Sequence, residues 1–479
     1  MTATIPDPYP DGAEADSAQP GPGGAGRIEA HGIDCIPDRE RHGKARELFS
    51  VWAAGNVNYL SLLVGGAVVL MGLNLWQAVA VIVIGNLFWG LTGLLAVSGP
   101  ASGTPSEVIT RAMYGIRGNR VNNAVIGWMM SVCYFALNLA AAATAAFSLV
   151  ERVGIAATTP VRIAVVLVIA ALTLVIGVFG HGLIIKLYLP ISLVLAAAFA
   201  VVAVSVIGHA DFSYVPAQPL SGTGLWATLI AGVTLIAAGP LSYTTSADFS
   251  RYLPRTTSAK SIAGWTAFGA YLPSTFVCVV GALAATVVDM SDPRTALEKL
   301  LPRWFVPVFL LALVLGTIAI NALTAYSAGL ALQSVGVRIR RSVSVLFDGV
   351  AAASLTLYGL LVSNLLDTIN NVLQLTVVLL GPAMSIYATD ILLRRNRYDG
   401  PALTDESPSS PYWFTGGVNW AGATALLTGS GTAALCVNTL YTGPIAAALN
   451  GIDLALPVGI LVAAGTYALL GRRAIAARM

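Results

Sequence analysis

Between Ser50 and Gly471 the chain is a succession of long apolar runs, each cut after roughly thirty residues by a short polar or basic connector. About eighteen apolar residues in helical form cross the ~30 Å hydrocarbon core of a bilayer. A water-soluble fold cannot cover so much apolar surface, because surface grows with mass and must be wetted. Only 10% of the 479 residues are charged, 56% are hydrophobic, and the mean hydropathy is +0.77. The chain reads as an all-α polytopic membrane protein.

Windows of about 19 residues place twelve spans, at 50–71, 76–98, 121–149, 161–179, 187–208, 224–247, 262–288, 304–334, 343–363, 366–392, 413–438 and 454–471. Only Ser363, Asn364 and Leu365 separate the ninth from the tenth. The basic residues orient them. Twenty-one of the 26 Lys and Arg fall on the side of the N-terminus, and only Arg152, Arg162, Arg294, Lys299 and Arg303 on the other. Lys and Arg accumulate in cytoplasmic connectors, so both termini are expected in the cytoplasm and the chain in the plasma (inner) membrane. Residues 1–34, rich in Pro, Gly, Ala and acids, lack the basic start and apolar core of a signal peptide and read as a disordered cytoplasmic tail. The formal net charge of +3 says little about partners. Cys35, Cys133, Cys278 and Cys436 stand apart, and no Cys/His set has metal-ligand spacing.

Two spans carry helix breakers at mid-length: the first has Gly55-Asn56-Val57-Asn58 and then Gly65-Gly66, and the sixth has Ala238-Gly239-Pro240-Leu241-Ser242-Tyr243. Proline lacks an N–H and glycine lacks helical preference, so such segments free backbone groups. Free backbone groups are tolerated at membrane depth only where they are buried in protein or line a cavity. The interruptions open two five-span sets, 35–210 and 211–398, which run inverted because an odd number of spans separates them. Residues 399–479 hold the last two spans and a short cytoplasmic C-terminus. A substrate site is expected where the interruptions meet; the competing reading is that these glycines only let helices approach closely.

Charges sit at span ends, as with Asp248, Asp348, Asp367, Asp390 and Lys186. A cavity without side-chain charge suits a neutral solute, since a charge at depth is costly and normally marks an ion path. Candidate lining residues are Asn56 and Asn58 in span one, Trp128 in span three, Ser242 and Tyr243 in span six, and Asn321 and Thr324 in span eight. Amides match the donor–acceptor edge of a nucleobase-like ring, and an indole face can stack on it. Taken singly, each is more simply a packing residue. No nucleophile–base pair, phosphate-cradling loop or catalytic domain is present, so an enzyme is not expected, and nothing suggests nucleic acid. A channel would need rings of polar residues or a symmetric filter. A transceptor stays open.

Several strings resemble the nucleobase:cation symporter-1 family, in its purine–cytosine permease branch, over about residues 35–472. They are Gly72-Leu73-Asn74-Leu75-Trp76-Gln77-Ala78, Gly99-Pro100-Ala101-Ser102-Gly103-Thr104-Pro105 with Arg111 and Tyr114-Gly115, Gly127-Trp128, Ala247-Asp248-Phe249-Ser250-Arg251-Tyr252-Leu253-Pro254, Tyr326-Ser327-Ala328-Gly329-Leu330 with Gln333, and Gly416-Gly417-Val418-Asn419-Trp420. The resemblance implies two inverted five-helix repeats with discontinuous first and sixth helices, plus two peripheral helices. It implies alternating access of a neutral heterocycle, purine or cytosine by preference, otherwise allantoin, hydantoin or a pyrimidine vitamin precursor. It assigns stacking to Trp128, polar contacts to Asn58 and Asn321, and break contacts to Gly239, Ser242 and Tyr243. Sodium-coupled relatives place two hydroxyls before the span-eight asparagine, where this chain has Ala319 and Ile320. Carbonyls near Ala54, Val57 and Gly316 are the remaining cation candidates, and a proton is favoured over sodium, with no resident cofactor. Relatives often carry a glutamine beside the span-three tryptophan, where this chain has Val125 and Val132. Asp248 and Arg251 are either a local ion pair or, with the Arg111 region, an inner gate.

Overall fold

The structure, a computed structural model, describes residues 28–291, 293–362, 372, 376–438 and 441–476. Its regular secondary structure among these is helical, with two isolated β-bridges. The main helices are α1 (Glu47–Asn56), α2 (Tyr59–Leu70), α3 (Leu75–Ser102), α4 (Ile116–Arg152), α5 (Thr159–Phe179), α6 (His181–Ile207), α7 (Gly222–Leu241), α8 (Ala247–Ser250), α9 (Ala259–Ala285), α10 (Val306–Ser334), α11 (Arg341–Leu361), α12 (Thr376–Leu393), α13 (Trp420–Cys436) and α14 (Ala455–Ala476). Among the described residues ten are long and apolar enough to cross a membrane, and the pair α1–α2, bent by 60°, makes an eleventh. The expected eleventh span is the shorter α13, 17 residues long. It starts at Trp420 because Gly416 and Gly417 adopt positive φ and the Asn419 side chain caps Ala421. The boundary between the ninth and tenth spans, and Asp367, lie outside the described residues.

The first interruption forms as its residues dictate. Val57 leaves helical geometry at φ −91°, ψ 81°, and Asn58 is extended. The Asn58 amide then stitches both sides, accepting from Ser61 N (3.0 Å) as the cap of α2 and donating to the Gly55 carbonyl (2.7 Å). The second interruption falls later than Gly239-Pro240. Pro240 is accommodated in the last turn of α7, which ends at Leu241, and the chain turns before α8. Pro240 deprives the Ile236 carbonyl of its helical donor, and the Thr92 hydroxyl donates to the Pro240 carbonyl (3.3 Å).

Helices α2 and α1 both lie on α9, α3 lies on α7, and α4 lies on α10, most of whose residues are buried. Helices α13 and α14 pair with each other and with α12 at the periphery. Gly65 and Gly66 serve packing: a Cβ on Gly65 would overlap the Cys278 backbone of α9, and one on Gly66 would meet Met290 Cβ at 2.7 Å. Backbone cannot yield as a side chain can, so Gly65→Val must separate α2 from α9. We expect that variant to lose its monodisperse elution peak or to melt well below wild type, since overpacking costs about 1–3 kcal/mol even where side chains can shift. A wild-type melting curve would refute the contact.

Candidate functional site

The two interruptions meet at a cavity. It is bounded by Asn56, Asn58, Leu60 and Ser61 of the α1–α2 break, Asn86 and Trp89 of α3, Tyr134 and Asn138 of α4, Gly239, Ser242 and Tyr243 at the end of α7, Ser274 and Cys278 of α9, and Ile320 of α10. It encloses ≈ 580 Å³ of space not filled by atoms, part of it open solvent. Among the described residues, no charged side chain lines it. Its polar groups are mostly tied to one another. Asn86 Oδ1 accepts from the Trp89 indole (3.1 Å) and the Ser274 hydroxyl (2.7 Å), and the Asn56 amide donates to Trp52 O (2.9 Å). The Tyr134 hydroxyl bonds Thr376 Oγ1 (2.5 Å), tying α4 to α12. The Asn138 amide makes no hydrogen bond among the described residues, which leaves a donor and an acceptor free in the cavity.

Towards the end of the molecule that carries most of the arginines, the cavity is plugged by rings. Trp52 lies against Tyr243 (5.1 Å between centroids), Trp89 (5.9 Å) and Phe249 (5.8 Å), and Phe249 continues to Tyr326 (5.6 Å). Beyond the rings, Glu29 binds the buried Arg251 guanidinium (3.1 Å), the hydroxyls of Tyr252 (2.5 Å) and Tyr326 (2.9 Å), and His181 N (2.8 Å); Arg341 lies at 3.8 Å. Residues 28–34, expected to belong to a disordered tail, are therefore ordered in this closure: buried guanidinium groups recruit the Glu29 carboxylate and the Gly32 carbonyl (2.6 Å).

Asn58, Gly239, Ser242 and Tyr243 are brought together in the cavity. Trp128 is not. It lies in a π-helical stretch, Asn123–Met129, whose wide turn aims the indole at α11; there it donates to Asp348 Oδ1 (2.5 Å) and stacks on Phe347 (6.0 Å). Asn321 and Thr324 also stand off the cavity wall. Asn321 donates to Phe135 O (3.0 Å), clamping α10 to α4, and Thr324 donates to Ile320 O (3.1 Å) within its own helix. Gly316 lies directly against the Val57 carbonyl, where a Cβ would collide; Ala54 is fully buried in the last turn of α1, and the hydroxyl of Thr317 donates to Leu313 O (2.9 Å).

Asp248 and Arg251 form no ion pair among the described residues: a carboxylate already satisfied by Ser106 N (2.8 Å) and the Ser327 hydroxyl (2.6 Å) faces one way, and Arg251 faces Glu29. Nor does Asp248 reach Arg111, whose guanidinium binds Glu406 (2.5 Å) and the Leu403 carbonyl (2.9 Å). Sequence reading missed Asn86, Trp89, Tyr134 and Asn138. Two asparagines inside otherwise apolar spans were the available signal.

Residues 35–475 match the family described as permease for cytosine/purines, uracil, thiamine, allantoin. A candidate purine–cytosine permease of Bacillus subtilis (strain 168), YxlA, is 27% identical over 459 residues, covering 93% of this chain and 96% of the relative. The fold is similar to that of Mhp1, a nucleobase-cation-symport-1 transporter, closed with bromovinylhydantoin bound: TM-score 0.75, 16% identity, 96% of each chain covered. It is also similar to the inward-facing form of Mhp1, with TM-score 0.70, 17% identity, and 94% and 95% covered.

Proposed function

We propose, from the premise that this chain belongs to the nucleobase:cation symporter-1 family of multi-pass membrane permeases, that it imports a neutral, flat, nucleobase-like heterocycle by alternating access. The observation carrying this reading is the uncharged cavity between the two interruptions, where amides (Asn56, Asn58, Asn138) and rings (Trp89, Tyr134, Tyr243) stand together. Rings offer stacking faces, and amides match both donors and acceptors of a heterocycle's edge. A purine or cytosine is the favoured solute. The arginine-rich end is the cytoplasmic side of the plasma membrane, in keeping with where Lys and Arg accumulate, so the structure corresponds to a state closed to the cytoplasm.

A proton is the favoured coupling ion. Ala319 and Ile320 lack side-chain oxygens, the Ala319 carbonyl already accepts from the Tyr188 hydroxyl (2.5 Å), and Gly316 abuts Val57 O. Sodium wants several oxygen ligands.

A thermal-shift screen of the purified protein against hypoxanthine, adenine, cytosine, uracil, allantoin and hydantoin, with and without sodium and across pH, tests the reading. A purine or cytosine should raise the melting temperature, since whatever binds only the folded state stabilises it. A response to allantoin or hydantoin alone would move the substrate within the family. A response only to charged amino acids would overturn the reading. In vesicles, a protonophore should abolish accumulation and replacement of sodium by choline should not; the reverse pattern refutes proton coupling.

A further inference from the structure

Among the described residues no acid lines the cavity at the interruptions, but a buried carboxyl pair lies just beyond it. Glu107, in the 103–115 connector between α3 and α4, is 2% exposed, and neither of its carboxylate oxygens has a hydrogen-bond partner among the described residues. Its main-chain carbonyl, by contrast, accepts from Asn119 Nδ2 (2.6 Å), Asn123 Nδ2 (2.9 Å) and Ser334 Oγ (3.0 Å). The backbone is thus fixed while the acid is left without donors, a placement that disfavours the ionised form. Asp248 of α8, fully buried, accepts from the main-chain N–H of Ser106 (2.8 Å), the residue that precedes Glu107, so the two acids are neighbours. Asp248 already accepts from Ser106 N and Ser327 Oγ. It is the better anion of the two, and Glu107 the better holder of a proton.

Among the described residues no cation forms an ion pair with either acid. Arg251, whose charge partly favours their ionised forms, is committed to Glu29, the Gly32 carbonyl and the Tyr326 hydroxyl; Arg111 faces Glu406. Helix α4 presents only neutral amides, α10 presents Ser327, Ser334 and Tyr326, and α12 presents Tyr387, whose hydroxyl bonds Ser98 (2.8 Å). Burial first, then the Asp248 charge, hold the Glu107 carboxyl well above the usual carboxylate range, and burial also raises Asp248. A second, small cavity is bordered by Glu107, Thr110, Tyr114, Asn123, Thr245 and Tyr387. The turn after α7 is the wall between the two cavities: Tyr243 borders the larger, and Thr244 and Thr245 border the smaller.

We propose that the Glu107–Asp248 pair is the proton-carrying site, sharing one proton while the arginine-rich end is closed and releasing it to entering water when that end opens. The proposal rests on the proton-coupled reading above. Its geometry is that of an interface. Asp248 rides on α8, its two donors come from the 103–115 connector and from α10, and any separation of α8 removes both donors and hydrates Glu107 together. No bond other than that to the transferred proton changes.

Two measurements test it. Stability of the purified protein between about pH 5 and 9 needs no substrate. An acid raised in the folded state contributes stability that is full below its unfolded pKa and lost as pH rises through the folded one. The wild-type melting temperature should therefore fall with pH through that window, and Glu107→Gln should flatten the fall; an unchanged slope overturns the proposal. In proteoliposomes with radiolabelled hypoxanthine or cytosine, Glu107→Gln should keep counterflow at equal pH but lose pH-gradient-driven accumulation at least tenfold. Asp348→Asn, which alters another buried acid with an oxygen lacking a partner among the described residues, should keep both. Gradient-driven accumulation by Glu107→Gln at wild-type level, or its loss in Asp348→Asn instead, overturns this assignment while leaving proton coupling intact; sodium-driven wild-type uptake overturns both. If Glu107→Gln does not purify, Glu107→Asp should accumulate solute with a displaced pH profile, and an undisplaced profile counts against the site.

Discussion

Replacing Tyr134 by alanine is expected to weaken binding of the transported heterocycle by about ten- to a hundredfold, whereas Trp128→Ala leaves affinity unchanged. Tyr134 is 8% exposed with its ring on the cavity, and its hydroxyl reaches Thr376 on one side and the Ala238 carbonyl (3.4 Å) of α7 on the other. Alanine removes a stacking face, a loss of about 1–3 kcal/mol per base where measured in soluble proteins, and it also slackens the end of α7. Tyr134→Phe keeps the face and loses only the tether, so it should stay close to wild type in affinity. Asn138, one helical turn on, offers the only uncommitted amide in the cavity among the described residues, and Asn138→Ala should lose a further hydrogen-bonded edge, about 1–3 kcal/mol if the solute's partner atom is left unmatched. Trp128 instead packs on Phe347 and Asp348, so its removal should lower the melting temperature alone. Calorimetric titration of the four variants decides it. A large loss for Trp128→Ala with none for Tyr134→Ala would move the site to the α4–α11 face.

Why the sequence pointed to Trp128 is a matter of helical phase. A tryptophan in a span is conspicuous, but the π-helical stretch it occupies breaks the 3.6-residue projection on which facing residues are read. A ring with an amide one turn further on stands on the cavity six residues later, as Tyr134 with Asn138. The spans and both interruptions were legible because hydropathy and Gly/Pro chemistry are local properties. The family strings were legible too, yet most of them hold the fold rather than solute. Asn74 and Gln77 form a reciprocal cap at the start of α3 (2.9 and 3.0 Å). Gly99 lets α8 approach until the Ala247 carbonyl would stand 2.7 Å from a Cβ, and Gly115 meets the Gly417 carbonyl, with Asn419 N bonded to Tyr114 O (2.9 Å). Glu29 was hidden for the opposite reason: the composition of residues 1–34 averages it into a polar tail, and its partners lie more than 150 residues away.

Glu29→Ala is expected to shift the protein towards a state open at the arginine-rich end. Its carboxylate is the shared acceptor for Arg251, Tyr252, Tyr326 and the His181 amide. Burial pushes the Glu29 carboxyl up, but Arg341 and then Arg251 more than offset it and hold it below the usual range. A lowered carboxyl contributes stability that is full above its unfolded pKa of about 4.3 and is lost only as pH falls through the folded value, so the closure persists at neutral pH. Removing one partner of a buried pair costs about 3–5 kcal/mol while the other stays buried, and opening relieves that cost by hydrating Arg251. Moving a two-state equilibrium from 1:99 to 99:1 takes about 5.5 kcal/mol, so a large part of that range is within reach. In a background with the native cysteines replaced, maleimide labelling of Thr245→Cys should quicken at least tenfold in Glu29→Ala; an unchanged rate sinks the latch. Gly180→Ala gives a charge-neutral check. Gly180 adopts φ 75°, and a Cβ there would strike the Glu29 carboxylate, so it should act in the same direction. Because both changes dislodge one carboxylate, the double variant should label scarcely faster than Glu29→Ala. Additive rates would mean that Gly180→Ala acts through backbone strain of its own, since only coupled sites depart from additivity.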